Sequence, residues 1–456
     1  AELLEEGVYL QEARGDLDAA IEVFRRIVAS DQAGRARAAE AQYRLALCYE
    51  RKGDKARAAE AFEALVRDYP DQARWIEAAA AHLPRPFAPV AMPWADGEET
   101  IMKMRLPTGY TVGFITYRSE KVEVDGRTLW RLTNRTLGNA EVVTMLEVDP
   151  DTGRPVFGYA TGSGAEFGEI SYWFEGESVK MRFGGEETPR RTGIAEGTID
   201  NLQAQYLVRQ LPLEPGFSTE QQVFVYLSGT TIPVVFEVMG IEEVTVPLGT
   251  FRCAHVEVRL AGQTQHFYVT ADESRRFIKL KVGEVEIEAV GFAIRERGET
   301  YRVENDTVGF ALEVPGDWTA IDLSGINGHQ GRARILLRDG WRPGEIVVNA
   351  RVHEQPADDD AARAREVADA HVDSLAKKLG VVVDPDSWRS FAVDAGAAVS
   401  CRGTIGAESG GQRLATTVVH GGNRTLIFTL YGAAEWVERN APRLDAVART
   451  ARFLER

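Results

Sequence analysis

The chain has 456 residues, 44% of them apolar and 27% charged, which is enough for roughly three domains of ~150 residues that each bury a core. Its 69 acidic against 53 basic residues give a formal charge of −16, which repels phosphate backbones and anionic lipid surfaces and sets nucleic-acid binding aside. No run approaches the ~18 uninterrupted apolar residues of a membrane helix, and Cys48, Cys253 and Cys401 fall in three different segments, too scattered for a disulfide framework or a CxxC metal knuckle.

The first segment, 1–83, has helical periodicity and repeats itself. RGDLDAAIEVFRRIV superposes on KGDKARAAEAFEALV with Gly15 on Gly53, Asp16 on Asp54, Ala20 on Ala58 and Phe24 on Phe62, an offset of 38 residues. In the second copy Ala46, Tyr49, Ala58, Phe62 and Pro70 supply the small, aromatic and proline positions of a helical hairpin, while Val8 and Gln32 depart from that pattern in the first. With these residues the segment resembles the tetratricopeptide repeat family, whose stacked hairpins bind protein partners on a concave face lined by the first helix of each repeat. That register puts Glu5, Tyr9, Glu12, Tyr43, Leu47, Glu50 and Arg51 on the concave face, a mixed aromatic and charged groove suited to a partner peptide or helix.

Residues 84–98 carry four prolines and no period, which reads as a linker. From 99 to 298 the chain alternates in about nine short strands between Gly-rich turns, the pattern of an antiparallel barrel or strongly curved sheet, with a helical break expected at IDNLQAQYLVRQLPLEPG. The break carries Asp200, Leu202, Tyr206, Arg209, Leu211, Pro212 and Leu213. It is followed by Val246, Pro247, Gly249, Thr250 and Phe251 in a hairpin, and by Asp272 and Arg275 at a strand entry. These three motifs resemble an uncharacterised bacterial envelope β-domain family. The resemblance implies an exported, periplasmic or otherwise envelope location and supplies no catalytic residue.

The last segment, 299–456, reads as strands with one amphipathic helix after Asp358–Asp360 and a second at EWVERNAPRLDAVARTARFL, an α+β sandwich. Gly309, Phe310, Pro315 and Trp318 at its start, and Phe428, Tyr431 and Gly432 before the last helix, make it similar to the PsbP/Mog1-like fold, whose members are interaction modules. The acidic run suits the positive end of a helix, with Asp360 or a neighbour as its cap.

The sharpest chemical constellation lies in VPLGTFRCAHVEVRL. Strand alternation puts Cys253, His255 and Glu257 on one face and Ala254, Val256, Val258 and Leu260 on a core face. If Ala261-Gly262 is a two-residue turn, Glu257 lies opposite His266 and His255 opposite Tyr268. Cys253, His255, Glu257 and His266 have the ligand chemistry of a zinc site, and Cys253 with His255 that of a thiol dyad. Residues i and i+2 stand ~6.5–7 Å apart on a strand, however, so a polar barrel wall is the preferred reading, with the Cys253 thiol near its ordinary ~8.5. The HGG at His420 reads as a hairpin turn, since no G-x-S-x-G nucleophile elbow accompanies it, and TGSGAEFG at Thr161 reads as a turn as well.

The sequence therefore reads as a multidomain α+β protein: an α-helical repeat, an antiparallel β-barrel-like domain and an α+β sandwich. Its expected function is that of a non-enzymatic adaptor, exported to the bacterial envelope, with a protein partner and no cofactor. The alternative is a carrier holding a lipophilic molecule inside the β-domain, where Trp130, Tyr172, Trp173, Phe224 and Tyr226 would line the interior; a hydrolase comes last. The sequence opens at Ala1 without methionine, from which we expect an upstream segment to have been removed.

Overall fold

A computed structural model describes residues 2–30, 33–83, 91–138, 141–162, 168–184, 186–323, 334–339, 345–406 and 412–455. Gln32, residues 84–90 of the proline-rich stretch and residues 163–167 of the glycine-rich stretch lie outside these.

The helical unit consists of Glu2–Tyr9, continued by a π-helical turn Leu10–Arg14, then Leu17–Val28, Arg35–Arg51, Lys55–Asp68 and Ala73–Ala80. The repeated Gly-Asp pair explains why each hairpin turns where it does. Gly15 and Gly53 take left-handed φ values of 65° and 76°, which end one helix without a Cβ clash. The aspartate that follows caps the next helix: Asp16 accepts from the Ala19 N–H at 3.2 Å and Asp54 from the Arg57 N–H at 3.1 Å. The two hairpins close because Ala20 and Ala58 are small and Phe24 and Phe62 are buried, each ring contributing about 1.5–3 kcal/mol. Gly7 lets the first helix approach Phe24, since a Cβ there would stand 2.6 Å from the ring.

The middle region is one antiparallel sheet of fifteen strands in which only the short edge strand Ile199–Asp200 is parallel to its neighbour. Its other edge is Arg190–Gly193, so the two edges are neighbours in sequence yet share no ladder, and the barrel is unclosed by backbone bonds. Side chains bridge the seam instead: Tyr172 stacks on Tyr226 with centroids 5.7 Å apart, and Phe174 meets Phe224 at 5.8 Å. Strands Glu98–Arg105, Glu141–Val148, Pro155–Gly162, Arg190–Gly193 and Ile199–Asp200 are additions to the nine expected, and one expected strand is two, Glu169–Glu175 and Ser178–Phe183. Glu141–Val148 is buried on both faces over most of its length, which erases the alternation by which a half-exposed strand is recognised.

The expected helical break is Asn201–Leu207, prolonged by a 3₁₀ turn Val208–Gln210, and it fills the concave face of the sheet. Leu202, Tyr206 and Leu207 pack there with Phe236, Val256 and Phe277. The residues singled out in the sequence around Asp200, Arg209 and Arg275 hold this helix down. Asp200 caps it through the Leu202 N–H at 2.7 Å and accepts from the Tyr172 hydroxyl at 3.0 Å; burial pushes its carboxyl up to about 6. Arg209, 1% exposed, donates to the carbonyls of Arg275 at 2.7 Å and Ser274 at 2.8 Å and to Glu98 at 2.6 Å. Arg275 answers by donating to the carbonyls of Arg209 and Leu211. The reciprocal clasp satisfies the buried guanidinium of Arg209, whose desolvation would otherwise cost several kcal/mol, and the half-buried one of Arg275.

In the last region a sheet of eight strands is covered on one face by the helix Asp360–Leu379, through Ala364, Val367 and Ala368. Its other face is covered by the helix Ala434–Arg449 and a three-stranded sheet, an α+β sandwich. The cap of the first helix is Asp359, which accepts from Ala361 and Ala362 N–H, while Asp360 accepts from the Gly422 N–H at 3.1 Å. His420 ends one arm of a hairpin that turns at Gly422-Asn423. The closing helix stops at Arg449, short of its expected end. Thr450 donates to the Val447 carbonyl and accepts from the Glu313 N–H, diverting Arg452–Phe453 into a strand against Phe310–Ala311. The two β-containing regions are joined by buried groups: Arg118 donates to the Gly316 carbonyl at 3.0 Å, and Glu99, which Arg295 of its own region also holds at 3.1 Å, accepts from the Thr319 hydroxyl.

Candidate functional site

Repeats present side chains in equivalent places, so the offset of 38 maps Glu5 onto Tyr43, Tyr9 onto Leu47 and Glu12 onto Glu50. The structure separates these two sets. Between helices Glu2–Tyr9 and Arg35–Arg51 lies an open crevice of about 410 Å³ lined by Leu4, Glu5, Val8, Tyr9, Glu12, Ala13 and Glu40. Tyr9 is 59% exposed there. Arg44, beside the crevice, pairs with Glu12 at 2.9 Å and Glu40 at 3.0 Å and donates to the buried Gln11 side chain at 3.3 Å.

The equivalent place on the second hairpin is occupied by the chain itself. Tyr43 packs against Trp75 with centroids 5.3 Å apart and against Phe62 at 5.9 Å. His82 stacks on Phe62 at 4.6 Å, and its Nδ1 lies 3.0 Å from Glu50 Oε1. Leu47 is partly buried in this cluster, and Arg51 points to solvent. Of the predicted groove residues, Tyr9, Glu12 and Glu5 therefore share one open cleft, whereas Tyr43, Leu47 and Glu50 pack the helix Ala73–Ala80 and the turn after it. This corrects the expectation of one continuous groove: the helix Ala73–Ala80 is what covers the second hairpin. Glu40 and Arg44 were missed: they come from the helix Arg35–Arg51 and meet Glu12 only through the packing of that helix on the first.

The Cys-His face has the register expected of it, with Leu260 opposite Gln263, Glu257 opposite His266 and His255 opposite Tyr268. Its contacts differ. His266 meets His255, Nδ1 to Nε2 at 2.9 Å, rather than Glu257, which accepts from Arg259. His255 also stacks on Tyr268 at 4.6 Å. Cys253 is fully buried among Val244, Val246, Ile278 and Ala289, and burial pushes its thiol up to about 12, a correction to the ordinary value expected on a polar wall. Cys48 and Cys401 are raised to about 11 by the same cause. Among the described residues no group of three or more His, Cys, Asp or Glu side chains is placed to hold a metal ion.

Of the five aromatics expected inside the β-domain, Trp130, Tyr172, Phe224 and Tyr226 are there, packed against neighbours: Trp130 on Trp94 at 6.3 Å, the other three at the seam. Trp173 is on the opposite face, beside Phe157 with Lys180 and Arg182 over its ring. Consecutive strand residues point to opposite faces, so Tyr172 and Trp173 cannot both line an interior. No helix among the described residues is long and apolar enough to cross a membrane.

No curated protein matches the chain. Among solved structures, a β-barrel-like protein of the DUF1849 domain from Brucella abortus is 10% identical over 44% of this chain and 98% of its own, with a TM-score of 0.30. A cyanobacterial PsbP from Synechocystis is 14% identical over 35% and 94%, with a TM-score of 0.28. The MucA/MucB complex of Pseudomonas aeruginosa is 10% identical over 79% and 94%, with a TM-score of 0.17. Residues 8–73 match the tetratricopeptide repeat, a protein-interaction module, and residues 102–290 match a family described as protein of unknown function (DUF3108).

Proposed function

We propose that the chain is a non-enzymatic adaptor of the bacterial cell envelope that holds a partner protein in the crevice of its first helical hairpin. One observation carries the proposal: Tyr9 stands 59% exposed in a cleft whose counterpart, one repeat later, is filled by the chain's own Trp75 and His82. A rigid aromatic at the edge of a cleft, ringed by charges that orient a ligand, is the pattern of an interface anchor. The absence of catalysis is part of the proposal and is supported by the Cys253 thiol, which burial holds far from the thiolate form that a nucleophile needs. The envelope location rests on the motif resemblance of the β-domain. The carrier alternative would require the helix Asn201–Leu207 to leave the concave face against the Arg209–Arg275 clasp, so the adaptor reading is preferred.

Capture from an envelope extract by the parent chain and by Tyr9→Ala tests the proposal. The variant should retain the parent's far-ultraviolet spectrum and lose about 1–3 kcal/mol of partner affinity. Equal capture by both, or recovery of the protein only from the cytosolic fraction of its host, would sink the reading.

A further inference from the structure

We infer that the open crevice takes a segment of the partner in which an arginine or lysine lies beside an aromatic side chain; the inference rests on the adaptor reading above and names its ligand class. The first observation is charge. The crevice is lined by the carboxylates of Glu5, Glu12 and Glu40 and by no cationic side chain among the described residues; Arg44, beside it, pairs with the latter two. Glu5 has no partner among the described residues, and the Glu12 side chain is 56% exposed, so acceptor capacity remains on the rim. A cation is the complement of such a site, and nucleic acid or an acidic segment is repelled by it.

The second observation is internal to the chain. Where the second hairpin presents the same surface, the protein has already chosen an occupant: an indole against Tyr43 and an imidazole nitrogen 3.0 Å from Glu50. Glu12 is the repeat equivalent of Glu50, so the first crevice asks for a nitrogen donor at that glutamate; Glu5 stands where Tyr43 receives the indole, and the aromatic surface is supplied instead by the exposed Tyr9, at the Leu47 position, against which a partner ring can pack. Tyr9 adds a ring face over which a guanidinium or ammonium can sit. The chain uses that contact elsewhere in the same unit, where Arg25 lies 5.8 Å from the Tyr49 centroid and donates to its hydroxyl at 2.6 Å.

The test is a display library of random peptides about twelve residues long, selected on the immobilised full chain. Selected peptides are measured against the parent, a Glu5→Gln/Glu12→Gln double variant and Tyr9→Ala, all checked for unchanged unfolding midpoints. The expected result is enrichment of Arg or Lys close to Trp, Tyr or Phe, with about tenfold weaker binding to the double variant and a further loss when salt is raised, as for any exposed charge contact. Peptides that lose affinity on Tyr9→Ala but are acidic or neutral, or that ignore the double variant, would overturn the ligand class and leave the adaptor reading standing. If no selected peptide responds to either variant, both fall.

Discussion

The two helical hairpins carry nearly the same signal and end in opposite states. Each turns on a Gly-Asp pair, each closes on an alanine and a phenylalanine, and each offers a glutamate near the end of its first helix. The second is finished by the chain, which lays Ala73–Ala80 across it and seats Trp75 and His82 on its surface. On the first, no described residue does the same, and Tyr9 stands in solvent. The contrast with the capped neighbour is what singles out the first crevice as open.

The largest effect expected within this comparison is on the capped side. Trp75→Ala should destabilise the helical unit by about 3 kcal/mol, read as a lowered helical transition in thermal unfolding by circular dichroism, while peptide binding at Tyr9 is unaffected. If binding falls with stability, the two crevices are coupled and the comparison breaks. Acid sharpens it from outside. The helix Asp360–Leu379 is fastened by His371, whose Nε2 lies 2.9 Å from the Thr429 hydroxyl and whose pKa is lowered to about 4 by burial, with Arg351 and Lys378 adding to the effect. An undocked imidazole takes up its proton near 6.5 and the docked one only near 4. Docking is therefore favoured at neutral pH and lost as the pH falls from about 6.5 to about 4, by up to roughly 3 kcal/mol. Hydrogen exchange across this range should speed up in residues 360–379 before it does in residues 17–68; the reverse order would contradict the latch.

On the open side, Tyr9→Ala should change stability by less than about 0.5 kcal/mol, because an exposed ring buries little, and its whole effect should appear in affinity. Denaturant midpoints of the two proteins, measured side by side, check this. Smallest of all, Glu50→Gln should cost under about 1 kcal/mol in the same assay, since the Glu50 side chain is 45% exposed beside His82 and such pairs are screened. A larger loss would mean that the glutamate-to-nitrogen contact holds the helix Ala73–Ala80 in place, which would strengthen the analogy on which the ligand class rests.

What could be read beforehand follows from how each residue is buried. The hairpins were legible because glycine, aspartate, alanine and phenylalanine act locally, within one turn of where they stand. The Cys-His hairpin was legible in register because Ala261-Gly262 fixes the pairing of two strands whose alternation is plain. Its contacts were not, because the choice of His255 over Glu257 as the partner of His266 depends on Arg259, which lies between Glu237 and Glu257 and satisfies both. Glu141–Val148 was missed because burial on both faces leaves an apolar run without a period. The roles of Arg209 and Arg275 were also hidden: they lie 66 residues apart, and only the fold brings each guanidinium to the other's backbone. The split of the groove depended on where the helix Ala73–Ala80 lands, which nothing in Tyr43 or Leu47 encodes.

The central claim is that the first crevice, and no part of the β-domain, is where the partner sits. Hydrogen exchange of the full chain with and without a selected basic aromatic peptide tests it most directly. Binding should slow exchange in residues 2–14 and in the first half of Arg35–Arg51 and leave Glu169–Glu175 and Ser218–Val225 as they were. Protection confined to those two strands at the seam, with none in the first hairpin, would contradict the account and turn attention to the interior of the sheet.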